Sequence, residues 1–148
     1  MSFPFGGKII VLFHTFILIC CVCFANDNLF KQARALQRDG KYEEAIAAFK
    51  GYLSQPILEN VLSDEQMAMY TDALVQLMNA FQSKGESEAC ITTLKEVFKA
   101  SPVLQKNCLR DYYSVMGYAL SRTEKMKDAE ETMFKALAIP LHQATPER

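Results

Sequence analysis

Catalytic side chains are what this sequence has least of. Its 148 residues hold two histidines, His14 and His142. The first lies in an apolar N-terminal run and the second in a short polar tail. Neither has a rigid partner, so no Ser/His/Asp or Cys/His set can be drawn. Beyond the apolar N-terminal run no Cys-x-x-Cys pair occurs, and no Cys/His pair at ligand spacing, which argues against the common metal centres. Glycine is sparse: Gly6 and Gly7 adjoin near the N-terminus, and Gly40, Gly51, Gly85 and Gly117 stand alone. A phosphate-cradling loop is therefore missing. An excess of one charge is missing too. Sixteen basic and seventeen acidic residues, both signs scattered, give a formal charge of -1. Nucleic acid needs a clustered basic surface, and none is present. These absences lead us to expect no enzyme, no cofactor, no metal and no nucleic-acid partner.

What is present is uneven. Half of the residues are hydrophobic, and the excess collects at the N-terminus. Lys8 precedes Ile9–Ala25, a run without a charged residue when His14 is neutral. The small residues Cys23 and Ala25, before Asn26-Asp27, match the needs of a signal peptidase. The rival reading is an uncleaved anchor, since the run is at the short limit for crossing a bilayer. Both place the remaining chain outside the cytoplasm, periplasmic or membrane-anchored. The division is then residues 1–25 as signal or anchor, 26–141 as a helical domain and 142–148 as a polar tail. Contact with a membrane would come only through residues 1–25. Beyond them two cysteines remain, Cys90 and Cys108, which an oxidising compartment would allow to pair.

The rest of the chain is organised by a recurring stretch. Gly40-Lys41-Tyr42-Glu43-Glu44-Ala45-Ile46 returns as Lys84-Gly85-Glu86-Ser87-Glu88-Ala89-Cys90-Ile91 and as Glu124-Lys125-Met126-Lys127-Asp128-Ala129. Set on Ala45, Cys90 and Ala129, the downstream apolar positions agree. They are Phe49, Tyr52 and Leu53, then Leu94, Val97 and Phe98, then Met133, Ala136 and Leu137. All three copies read i, i+4, i+7, i+8, one face of an α-helix. Upstream come Leu29, Ala33 and Leu36, then Leu74, Leu77, Met78 and Phe81, then Tyr113, Met116, Gly117 and Leu120. The small or slim residues Ala33, Met78 and Gly117 fall where paired helices would approach most closely. Paired acids at Glu43-Glu44 and Glu130-Glu131 flank the anchor alanines at helix starts, where they complement the helix dipole.

Six helices follow from the punctuation. The first runs from Asp27 to about Asp39 and stops at Gly40; the second covers Tyr42 to Ser54, before Pro56. Ser63-Asp64-Glu65-Gln66 is a capping signature that opens a third helix reaching about Ser83, whose first turn, with Met67, Met69 and Tyr70, would extend beyond its partner. The fourth covers Glu86–Ala100, the fifth Leu104–Arg122 and the sixth Lys125–Ala138.

These residues resemble the tetratricopeptide repeat family, whose 34-residue unit is two antiparallel helices. The second copy fits best, through Leu74, Leu77, Met78, Phe81, Gly85, Cys90, Leu94, Val97 and Pro102. The third has Glu124 where the family has a turn glycine. The anchors are 45 and then 39 residues apart, so extra residues must sit between pairs, most obviously around Ile57–Gln66. The resemblance implies an all-α fold, a right-handed α-solenoid of three antiparallel helix pairs. It also implies a concave wall made by the first helix of each pair. On that wall Phe30 and Tyr118 are candidate anchors, and Arg34, Arg38 and Arg122 can pair with carboxylates. Asn79 is the one residue that fits the family's dicarboxylate clamp, so a clamped peptide C-terminus is not the expected ligand.

The expected function is an exported protein–protein interaction module that takes a peptide or partner protein in this groove. The alternative is the extracytoplasmic sensor part of a bacterial signalling receptor, a histidine kinase or transcriptional regulator, whose output lies outside these residues. No capping helix follows the sixth, so self-association through that helix is a further expectation.

Overall fold

The computed structural model describes residues 28–55 and 63–140. The candidate signal segment, the stretch between residues 56 and 62 and the polar tail lie outside them. Every regular element among the described residues is a helix: α1 (28–38), α2 (Tyr42–Leu53), α3 (Asp64–Lys84), α4 (Ser87–Ala100), α5 (Pro102–Asn107), α6 (Leu109–Ser121) and α7 (Met126–Ala138). The described residues are all-α, in keeping with the apolar periodicity. None of these helices is long and apolar enough to cross a membrane.

The turns show how the sequence sets the boundaries. Gly40 and Gly85 both adopt φ 74°, the left-handed conformation that costs glycine nothing. Each closes its helix the same way. Gly40 N–H reaches Gln37 O and Lys41 N–H reaches Leu36 O, while Gly85 N–H reaches Gln82 O and Glu86 N–H reaches Phe81 O. This paired closure is the Schellman arrangement, which satisfies otherwise orphaned carbonyls. The third turn lacks a glycine and solves the problem with a side chain. Thr123 Oγ1 donates to Leu120 O at 2.7 Å and accepts from Lys125 N–H at 3.3 Å. At the start of α3 the expected capping box is formed: Gln66 N–H donates to Ser63 Oγ, and Ser63 N–H donates to Gln66 Oε1.

The helix expected over Leu104–Arg122 is two helices. Ser101 caps α5 by accepting from Leu104 N–H, with Pro102 at the first helical position where its missing N–H is harmless. Cys108 then breaks the run at φ -122°, ψ 25°. Leu104 and Cys108, four apart and so on one face, are both buried on either side of this break. The start of α3 also differs from expectation. Tyr70 does not overhang but is buried, its ring 5.0 Å from that of Tyr52 on α2. In α6, Tyr112 takes the buried place and stacks on Phe98 at 3.8 Å, while Tyr113 is only half-buried.

One core runs through the molecule. It joins Ala33, Ala45, Phe49, Leu53, Leu74, Leu77, Cys90, Leu94, Met116 and Ala129 among others. Helix α2 packs on α3, α3 on α4 and α6, α4 on α6, and α6 on α7. The α6–α7 contact is tight because Gly117 has no side chain. A Cβ there would lie 2.6 Å from Met133 Cγ and 3.4 Å from the Ala129 carbonyl oxygen. Polar links tie alternate helices together. Arg34 pairs with Asp72 at 2.7 Å and Thr71 donates to Asp111 at 3.0 Å, joining α1 to α3 and α3 to α6. Lys50–Glu96 joins α2 to α4, and Lys125–Glu88 joins α4 to the start of α7, both at 2.7 Å. Such exposed pairs are each worth at most about 1 kcal/mol and set alignment more than stability.

Candidate functional site

The six residues singled out by the groove argument fall on α1, α3, α6 and the turn that closes α6. On α1, four residues separate Phe30 from Arg34, so both share a face. Phe30 is half-buried, 6.2 Å from the Phe49 ring and 5.4 Å from the Tyr52 ring. Arg34 lies 6.0 Å over the Phe30 ring and is held by Asp72. Phe30 is thus engaged with the core, and Arg34 already has a carboxylate.

Tyr118 and Arg122 repeat this spacing at the other end. Arg122 donates to Tyr118 Oη at 2.8 Å, with its guanidinium carbon 5.1 Å from the ring centre. Both are exposed. Among the described residues Arg122 has no carboxylate partner. Apart from its bond to Tyr118, its guanidinium is therefore open to an acid beside an aromatic ring, and a guanidinium fork suits planar carboxylates. Arg38 is exposed at the end of α1, and Asn79 is half-buried on α3. No hydrogen bond, ion pair or ring contact among the described residues links these two to either aromatic–arginine pair.

A second group gathers beside Arg122. Gln82, Ser87 and Arg122 line an open recess of about 330 Å³. Gln82 Nε2 is buried and has no hydrogen-bond partner among the described residues. An orphaned buried donor costs on the order of 1–3 kcal/mol. Gln82 follows Asn79 by three residues on α3, whereas Ser87 belongs to the start of α4. Only the packing of α3 on α4 reveals their meeting. Helix α4 also begins without a side-chain cap, its N-cap being Glu86. Of the acids that line the adjoining recess, Glu86 pairs with Lys84 at 2.8 Å and Glu88 with Lys125, and Glu124 is the third. Lys84 also bonds Glu43, and these bonds, Glu43's first, hold its ammonium above the ordinary pKa.

Elsewhere the reactive groups are enclosed. Cys90 and Cys108 are free and buried. Burial pushes the Cys90 thiol up to about 12. Burial, with Asp111 adding and a Thr71 hydrogen bond subtracting, puts Cys108 at about 11. Both are protonated at neutral pH and are poor nucleophiles in this state. Burial likewise raises Tyr70 and Tyr112 to about 12. Among the described residues no group of three His, Cys, Asp or Glu side chains is placed to hold a metal ion. Comparison with known proteins leaves the site to speak for itself: no family model matches the chain, and no curated protein matches it.

Proposed function

We propose that this chain is an exported interaction module. Its helices stack as a tetratricopeptide-like, right-handed solenoid of three antiparallel pairs, α1–α2, α3–α4 and α6–α7. The partner is a peptide or protein segment taken into the groove along α1, α3 and α6, without bond making. The ordered links from α1 to α3 and from α3 to α6 support the stacking. The observation that carries the binding reading is the donor group at Arg122, Tyr118 and Gln82. Among the described residues, it includes a guanidinium with no carboxylate and a buried amide with no acceptor. A segment bearing an acidic side chain would satisfy both.

The experiment is binding of the full chain to an array of acidic and neutralised peptides, repeated with Arg122→Ala and Gln82→Met. Acidic peptides should be retained, and Arg122→Ala should weaken them by about tenfold or more, the loss of one charge-assisted pair. Gln82→Met should weaken them while leaving thermal stability equal or slightly higher, because it removes an orphaned donor. Retention that ignores charge, or that survives both substitutions, would reject this site.

A further inference from the structure

Alignment of α2, α4 and α7 on Ala45, Cys90 and Ala129 isolates a second surface. Four residues on, Phe49 and Leu94 are fully enclosed, whereas Met133 is 38% exposed. Eight residues on, Leu53 is enclosed and Phe98 is stacked under Tyr112, whereas Leu137 is 70% exposed. The cause is cover: α3 lies on α2 and α6 lies on α4, while no described helix follows α7. Five residues on, α2 and α4 carry the exposed lysines Lys50 and Lys95, but α7 carries Phe134, 62% exposed. An aromatic thus stands where the covered helices keep a charge. With Met126 these side chains line an open groove of about 590 Å³, whose charged members are Lys127 and Glu130.

We propose that this face is an interface between two copies of the chain, paired about a two-fold axis. Every exposed large hydrophobic residue among the described ones lies here or beside it: Met126, Met133, Phe134, Leu137 and Tyr118 of the neighbouring α6. The opposite end, α1 and α2, shows none. A copy stacking head-to-tail would set this face against Lys31, Gln32 and Arg38, all exposed. Its apolar complement is the same face on another copy, which is the self-matching that a two-fold contact requires. The charges permit it: Lys127 and Glu130 are of opposite sign, so the groove carries no net charge to repel its copy. Tyr118 borders both this face and the donor group, but Met126, Met133, Phe134 and Leu137 belong to this face alone, and this proposal stands whether or not that group binds a peptide.

The test is the mass of the full chain by sedimentation equilibrium, from sub-micromolar to high-micromolar concentration. A reversible monomer–dimer equilibrium is expected. Phe134→Lys, which installs the residue found at this register in α2 and α4, should weaken it by at least about tenfold with helicity unchanged. Glu130→Lys should weaken it at low salt, and its difference from the parent should shrink as salt rises. A folding defect would not respond to salt in that way. A monomer at all concentrations would overturn the proposal, as would association indifferent to both substitutions. The latter is the result if the apolar run Ile9–Ala25 drives assembly. Open-ended growth in mass would overturn the two-fold arrangement in favour of head-to-tail stacking.

Discussion

Leu94 of α4 and Met133 of α7 occupy the same place in the pattern, four residues after Cys90 and Ala129, and lie in opposite surroundings. Helix α4 has a neighbour on each side: α3 before it and α6 after it. Helix α7 has α6 before it and no described helix after it. The same apolar stripe is therefore core in one and surface in the other. The comparison teaches that a repeat position carries an offer of burial, which only the next element accepts.

The largest test of this contrast is a pair of truncations. Leu94→Ala should cost about 2–5 kcal/mol, the usual price of a cavity in an enclosed site. Met133→Ala, measured at a concentration where the chain is monomeric, should cost no more than about 1–2 kcal/mol, since water already reaches that side chain. Urea unfolding of the two variants decides it. Equal losses would mean that α7 is covered as α4 is.

Gly117→Ala sharpens the comparison from the other side of α7. In an open helix the change would gain about 1 kcal/mol. Here the added methyl would meet Met133 Cγ at 2.6 Å and press on the α7 backbone. A net loss of about 1–3 kcal/mol is expected from overpacking. Unchanged or higher thermal stability would show that α7 can move outward freely, its far side being unopposed.

The smallest effect belongs to the link between the two helices. Lys125→Met removes the exposed pair with Glu88 and should cost below about 1 kcal/mol, less still at high salt. A larger loss would mean that the ion pair, rather than the α6 contact, holds α7 in place.

Much of the fold was legible in the residues because helix periodicity and capping are local. Gly40 and Gly85 stop helices wherever they are read, and Ser63 with Gln66 builds its box from neighbours three apart. The break at Cys108 was not legible: nothing in Leu104–Arg122 forbids one helix. The candidate site was legible in part. Tyr118 and Arg122 are related by helical spacing alone, so their pairing could be foreseen. Phe30 could not be recognised as engaged with Phe49 and Tyr52, nor Arg34 as engaged with Asp72, because those partners come from other helices. The same holds for the orphaned amide of Gln82, whose isolation depends on what α4 brings beside it.

By itself the sequence determined the helices, their stops and the register of their apolar faces, because backbone hydrogen bonds and left-handed glycines act within a few residues. The tertiary structure decided which of those faces became core. Burial depends on a neighbour arriving from far along the chain, and α3 and α6 supply one to α2 and α4, whereas α7 has none among the described residues.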